Sequence, residues 1–113
     1  MVILNQGGEE IRDAIAALLT TGQYGSDGTT ESATDTGLGT PIAGASKTLS
    51  VNTSGLTIEA THDLASTDAN GDTLREFALQ TASGDLTRAT TTELVKDATK
   101  EVTTVVTMFV NIN

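Results

Sequence analysis

The first candidate for chemistry in this chain is its single histidine, His62, which Asp63 follows directly. A histidine oriented by a carboxylate is the general base of many nucleophilic hydrolase sites. Neighbouring residues on a strand point to opposite faces, so these two side chains are poorly placed to cooperate. No nucleophile elbow accompanies them. We therefore interpret His62 as a solvent-exposed histidine at the end of a strand, and we predict no catalytic residue and no enzyme.

A second candidate is the run Asp-Ala-Asn-Gly-Asp at residues 68–72, which begins like a calcium-binding loop. The run places side-chain oxygens at positions 1, 3 and 5, but the full motif also needs glycine at position 6 and glutamate at position 12. Thr73 and Leu79 occupy those two positions. A turn built on the Asn-Gly pair explains the same residues without an ion. We predict no metal ligand here.

Two further patterns fall short of a ligand site. Residues 25–28, Gly-Ser-Asp-Gly, lack the lysine and the following helix of a phosphate-binding loop, and Asp27 would repel a phosphate. Paired carboxylates could hydrolyse glycosides if they lay about 5–9 Å apart, but the sequence places no two of them together. The aromatic platform that usually binds sugars is also missing. We predict no cofactor.

The net charge of −9 argues against nucleic acid and against an anionic membrane surface as partners. The basic residues are scattered along the chain: Arg12, Lys47, Arg75, Arg88, Lys96 and Lys100. No apolar run reaches the roughly 18–20 residues that a membrane-spanning helix needs, and residues 1–6 do not resemble a signal peptide. Because the chain has no cysteine, disulfides and thiolate metal sites are excluded.

The composition also favours a high-salt environment. Lysines are few, carboxylates are many, and threonine is abundant. Strong salt screens the mutual repulsion of such carboxylates, since the Debye length falls to about 3 Å at 1 M. An ordinary acidic domain is the alternative interpretation.

Hydrophobic periodicity predicts one domain over residues 1–113. Residues 9–20 show a helical apolar stripe, with Glu9 and Glu10 in the first turn and Gly22 as the stop. Residues 23–44 are rich in glycine, serine and threonine and predict a long loop, which is a candidate assembly contact. Residues 46–112 alternate with a period of two and predict strands. The first strand runs from Ser46 to a hairpin turn at residues 52–55, and further turns are predicted at residues 69–72 and 82–85. Together these elements predict a mainly β fold, a small antiparallel β-sandwich with one N-terminal amphipathic helix.

Three parts of this pattern carry specific expectations. The helical stripe (Ile11, Ile15, Leu18 and Leu19) must dock on a sheet or on another subunit, because a short amphipathic helix is unstable alone. Residues 86–90 predict a strand, and residues 91–97 a polar connector. The last strand, residues 99–112, has Val105 and Phe109 on its otherwise polar face, which predicts burial on both sides or pairing between subunits.

The order of the segments carries a resemblance to a known group of proteins. After the helix come a Gly/Thr-rich segment ending in Asp-Thr-Gly-Leu at residues 35–38, a hairpin, and an Ala-Asn-Gly turn at residues 69–71. Arg-Glu-Phe-Ala-Leu at 75–79, Gly-Asp-Leu-Thr-Arg-Ala at 84–89 and a Thr/Val strand follow. This order resembles small structural proteins encoded near tail and baseplate genes of tailed viruses and prophages. The acidity of this chain departs from that group and would fit a virus of halophilic archaea.

The resemblance implies a virion component of the tail, baseplate or fibre attachment region, and it brings no catalytic residues. The alternatives are a capsid-surface decoration or turret protein and a module that binds a receptor on the host surface through residues 23–44. The implied partners are copies of the chain itself, as a trimer or ring, and other virion proteins. Arg75 and Glu76 should point to opposite sheet faces, one meeting a carboxylate within the subunit and the other a neighbouring subunit.

Overall fold

A computed structural model describes residues 4–111. The elements are α1 (Asn5–Leu18), β1 (Thr21–Gly25), β2 (Pro41–Thr48), β3 (Ser50–Ser54), β4 (Thr57–Leu64), β5 (Thr73–Thr81), β6 (Gly84–Asp85), β7 (Ala89–Val95) and β8 (Val102–Phe109). They form two antiparallel sheets and one N-terminal helix, which confirms the predicted mainly β sandwich.

The larger sheet has five strands in the order β2-β1-β5-β6, and β7 also pairs with β5. The smaller sheet has three strands in the order β3-β4-β8. The core lies between the sheets and contains Ile58 and Leu64 of β4 together with Phe77 and Leu79 of β5. Tyr24, His62 and Phe77 form an aromatic cluster in it, with ring centroids 4.9–5.5 Å apart.

The helix differs from the prediction at both ends. It begins at Asn5, so it includes two glycines that were expected to precede it, and its first turn holds no acidic residue. Gly8 is buried, and its packing outweighs the roughly 1 kcal/mol by which glycine disfavours a helix. Ile15 packs against the core and Leu19 is part of it. The helix is also tied to the β3–β4 hairpin, since Arg12 Nη1 donates to Gly55 O at 2.5 Å.

The last three residues of strand β1 lie in residues 23–44, which were predicted to be a loop, and β1 is flanked by β2 and β5 in the larger sheet. Its period-two pattern was hidden because Gly22 and Gly25 have no side chains. Gly22 leaves room for the ring of Phe77, and a Cβ at this position would lie 2.8 Å from Phe77 Cζ. The true loop is therefore residues 26–40, called the clasped loop below.

Other boundaries also shift. The chain changes sheets at Leu49, between β2 and β3, where the sequence predicted a continuous strand. The predicted strand over residues 86–90 and connector over 91–97 are wrong, because β7 occupies Ala89–Val95. The two turns predicted around Gly71 and Ser83 are confirmed, and Ala69 adopts φ +53° in the first of them.

The last strand, β8, has one face toward the core and one face toward solvent. Val106 and Met108 pack against the core. Val105 and Phe109 on the other face are 51% and 77% exposed, so burial on both sides within the chain is wrong. Ile112, which was predicted in this strand, lies outside the described residues.

Candidate functional site: a loop held by a buried carboxylate

The central feature of the site is a fully buried ion pair. Glu76 in β5 has no exposed side-chain surface, and the side chain of Arg88, just before β7, is 6% exposed. Arg88 Nε donates to Glu76 Oε1 at 2.9 Å. A buried charge is tolerated only when it is paired and hydrogen-bonded, so the surroundings of both groups decide what the pair does.

The remaining acceptor positions of Glu76 bind the two ends of the clasped loop. Glu76 Oε2 accepts the backbone N–H of Asp27 at 3.0 Å and that of Thr40 at 2.9 Å. Glu76 Oε1 also accepts the N–H of Gly39 at 2.8 Å. One carboxylate therefore satisfies three backbone donors from opposite ends of the loop and closes it on the outside of the larger sheet.

Arg88 binds the middle of the same loop. Its Nη2 donates to Thr29 O at 2.8 Å, and its Nη1 donates to Asp35 Oδ2 at 3.1 Å. Planar guanidinium groups suit this work because their five N–H donors diverge in fixed directions. The long Gly/Thr-rich segment is thus an ordered loop anchored at several points along its length.

Two glycines make the close approach possible. Gly25 lies opposite Glu76 in the β1–β5 register, and a Cβ at Gly25 would lie 2.3 Å from Glu76 Oε2. A Cβ at Gly39 would lie 1.9 Å from Asp27 Oδ2. The site therefore requires glycine at positions 25 and 39 as well as its charged side chains.

The hydrogen bonds decide the charge state of the pair. Burial by itself would raise the pKa of Glu76, but the donors from Thr40, Arg88, Gly39 and Asp27 outweigh it and lower that pKa. The hydrogen bond to Glu76 raises the pKa of Arg88. Both groups stay ionised at neutral pH, which suits a structural anchor.

A cavity of about 350 Å³ lies beside the clasped loop. Asp35, Gly37 and Arg88 line it, and Asp85 and Leu86 close the opposite side. Asp85 Oδ2 accepts the N–H of Leu38 at 2.9 Å, which fixes the loop to the β5–β6 turn. The cavity is open and polar, so it could accept a polar group from a partner.

His62 is not at a strand end in solvent, and that interpretation is wrong. The residue is fully buried in β4, where Tyr24 and Phe77 pack against its ring. Its Nε2 lies 3.0 Å from Ala45 O, and its Nδ1 has no hydrogen-bond partner. Asp63 is exposed on the other face, as the strand geometry predicted, and accepts a hydrogen bond from Thr103.

The burial of His62 gives a pH prediction. Burial lowers the pKa of His62, although the bond to Ala45 O favours the charged form. The stability it contributes is complete above its unfolded pKa of about 6.5 and is lost as the pH falls through the lower folded pKa. We expect the free energy of unfolding to fall as the pH drops below about 6.5, the unfolded pKa of histidine. Urea denaturation at a series of pH values should show that the free energy of unfolding of His62→Gln depends less on pH than that of the wild type. An equal pH dependence in the two proteins would contradict this assignment.

The other two patterns, for which the sequence predicted no ligand, are part of the fold. Asp68 accepts the N–H of Ala65 at 2.8 Å and forms an ion pair with Lys47 at 3.0 Å. The ammonium group of Lys47 therefore takes the place beside this carboxylate that a calcium ion would need. Among residues 4–111, no group of three or more histidine, aspartate or glutamate side chains is arranged to hold a metal ion. Gly25 ends β1 and is followed by the clasped loop instead of a helix.

Arg75 meets a carboxylate within the chain, as expected for one of the two residues, and contact of the other with a neighbouring subunit stays a prediction. Arg75 Nη2 lies 3.4 Å from Glu93 and its Nη1 donates to Ser26 O, while Glu76 pairs with Arg88. Both therefore have partners within the chain.

Sequence reasoning also missed Lys96, which is fully buried and donates to Asn70 Oδ1 and Asp97 O. The Lys96–Asn70 and Glu76–Arg88 contacts join residues 26 and 12 positions apart, so no spacing rule could have found them.

Two apolar surfaces remain exposed in the described part of the chain. Three exposed residues recur every seven positions and form one stripe, called the helix stripe below: Leu4 at the N-cap of α1, and Ile11 and Leu18 within the helix. On β8, Val105 and Phe109 form the second surface. Of the four apolar residues that were predicted to dock, Ile15 and Leu19 pack in or against the core, and Ile11 and Leu18 are exposed.

Comparison with protein-family models, with curated proteins and with solved structures found no match for this chain. In the part of the chain that the structure describes, no helix is long and apolar enough to cross a membrane.

Proposed function

We propose that this chain is a virion structural and assembly protein of the tail, baseplate or fibre attachment region of a tailed virus. The observation that carries the proposal is that three of the sequence segments on which the resemblance to tail and baseplate proteins rests meet at one place in the fold. Asp35 of the Asp-Thr-Gly-Leu segment, Glu76 of the Arg-Glu segment and Arg88 of the Gly-x-Leu-x-Arg-Ala segment form one ion-pair network. Residues that are distant in sequence therefore serve one structural purpose, which is to hold a long loop rigid on a small β-sandwich.

The exposed surfaces support an assembly role. A chain with a net charge of −9 that leaves the helix stripe and the outer face of β8 uncovered has two places where a partner can bury apolar area. The partners we propose are copies of the chain itself and neighbouring virion proteins. Its location is then the virion, and the bound charges of the clasped loop have no catalytic task.

The cavity beside the clasped loop favours a second candidate, a module that binds a receptor on the host surface. The cavity is lined by the exposed part of the loop, where a partner can reach Ser32 and Ala33 without disturbing Glu76. A capsid decoration or turret protein is the third candidate, and it shares the same assembly surfaces.

The high-salt environment remains part of the proposal. Fifteen carboxylates stand against six basic residues, and the Glu76–Arg88 ion pair is buried. Salt screens the exposed carboxylates but acts much less on a buried pair. The fold can therefore keep the anchor of its loop in brine while the repulsion across its surface is reduced.

The test of this function is to purify virus particles from the cells that encode the chain. Mass spectrometry should find its peptides in the particles, and gold-labelled antibody should place it at the tail end in electron micrographs. Label over the capsid would favour the decoration protein. Particles that lack the chain altogether would overturn the proposal.

A further inference from the structure

We propose that the open edge of β8 pairs antiparallel with β8 of a second copy of this chain, across a two-fold axis between them. This inference rests on the proposed assembly function and names the surface and the partner that it uses.

The first step is the position of β8. It is the edge strand of the smaller sheet, and within residues 4–111 it pairs only with β4. Its eight residues pair with β4 in unbroken register, from Val102 with Leu64 to Phe109 with Thr57. The strand is therefore long and regular, which is the geometry that another strand can extend.

The second step identifies the backbone groups that face the open edge. The N–H and C=O of one residue in an antiparallel ladder point to the same side and alternate along the strand. Val110 donates to Leu56 O at 2.8 Å, so even-numbered residues bond to the β4 side. The backbone groups of the odd-numbered residues face the open edge: Thr103, Val105, Thr107 and Phe109.

The third step is the contrast with the other outer strands. Strand β2 carries Pro41, a glycine at φ +83° and a register shift in its pairing. Strand β7 carries Glu93 and a register shift, and β3 is short and lies against α1. Proline, charge, irregularity and covering elements are the usual protections of an edge. Strand β8 has no proline, no charge and no irregularity.

The fourth step is charge, which selects a second copy as the occupant. Each copy brings a net charge of −9, so most surfaces of two copies repel each other. No charged residue lies in Val102–Phe109. This edge can therefore meet its own counterpart without placing carboxylates opposite one another, whereas like charges directly opposite would destabilise the pair.

The fifth step is the register. A two-fold axis normal to the sheet pairs odd residues with odd residues, because those are the ones that face the edge in both copies. Pairing Thr103 with Phe109 and Val105 with Thr107 uses every edge-facing residue of the strand. Each Phe109 then lies diagonally beside Val105 of the other copy, within the reach of an aromatic ring. The two exposed apolar side chains thereby cover each other.

The experiment measures the mass of the purified chain by size-exclusion chromatography with light scattering, in about 2–3 M NaCl, where charge repulsion is screened. We expect the mass of two chains. Val105→Lys replaces the apolar side chain beside Phe109 of the other copy with a hydrated ammonium group, which is costly to bury. Thr107→Pro removes an N–H that β4 does not use. Both should give the mass of one chain with an unchanged circular dichroism spectrum. Thr92→Lys, on the exposed strand β7, is the matched control and should leave the pair intact.

A wild-type chain that stays monomeric, an odd-numbered oligomer, or a pair that Val105→Lys leaves intact would each overturn the inference. If Thr107→Pro does not fold, Val105→Lys still decides. The outcome is separable from the proposed function. Absence from virus particles would leave a measured β8 pair standing, and a monomer in solution would leave the chain's place in the particle standing.

Discussion

Replacement of Glu76 by glutamine is expected to remove about 3–5 kcal/mol from the free energy of unfolding, the range found when one partner of a buried ion pair is lost. The carboxylate accepts four hydrogen bonds, two on each oxygen. Glutamine has nearly the same shape but only one side-chain oxygen. Its amide group would face two donors that then have no acceptor, and the charge of Arg88 would lose its nearest counter-ion.

Urea denaturation followed by circular dichroism measures this loss. The matched control is Glu93→Gln, which removes a carboxylate that is 60% exposed and 3.4 Å from Arg75. An exposed pair of this kind contributes about 0–1 kcal/mol. Equal losses in the two variants would show that Glu76 does not hold the fold together. We also expect the Glu76 variant to expose residues 26–40 to proteolysis, because three backbone anchors of the clasped loop depend on that carboxylate.

The second large effect is expected from Gly25→Ala, a change that adds a single methyl group. Its Cβ would lie 2.3 Å from Glu76 Oε2 and 2.7 Å from Glu76 Cγ, so either the carboxylate or strand β1 has to move. Overpacking of this kind costs about 1–3 kcal/mol, and displacement of the carboxylate adds the loss of its hydrogen bonds. The free energy of unfolding should therefore fall by at least this amount.

Gly28→Ala is the matched control for Gly25→Ala. Its Cβ would lie 3.4 Å from Arg75 Cδ, an ordinary contact with a flexible side chain, so the stability should change little. The double variant Gly25→Ala with Glu76→Gln tests the mechanism. If both changes act on the hydrogen bonds of the Glu76 side chain, the double variant should lose less free energy of unfolding than the sum of the two single losses. Additive losses would mean that Gly25 is needed for another reason.

In the proposed assembly, the buried ion pair and the exposed apolar surfaces have different tasks. The Glu76–Arg88 pair fixes the clasped loop from within the chain, and the helix stripe and the β8 edge remain available to partners. A small sandwich with few aromatic side chains has little apolar area to spare for its own core. In the proposed assembly, burial between copies would add further stability.

The sequence by itself determined the fold class, the N-terminal helix, the hairpin between β3 and β4, the turns around Gly71 and Ser83, and the two unlike faces of β8. These features depend on local periodicity and on turn residues, which act over a few positions. The opposite orientation of His62 and Asp63 followed from the same alternation. Where glycines replaced side chains, as in β1, the alternation was invisible and the strand was missed.

Only the tertiary structure decided the site. Glu76 meets Arg88 and the two ends of a loop that lie 36 to 49 residues earlier in the chain. His62 enters the core because β4 lies in the centre of its sheet. Nothing near these residues in sequence marks them as buried, since burial depends on which strands pair and which sheets stack. Local patterns therefore fixed the elements, while long-range strand pairing chose which charged side chains were desolvated and which apolar ones, such as Phe109, were left exposed.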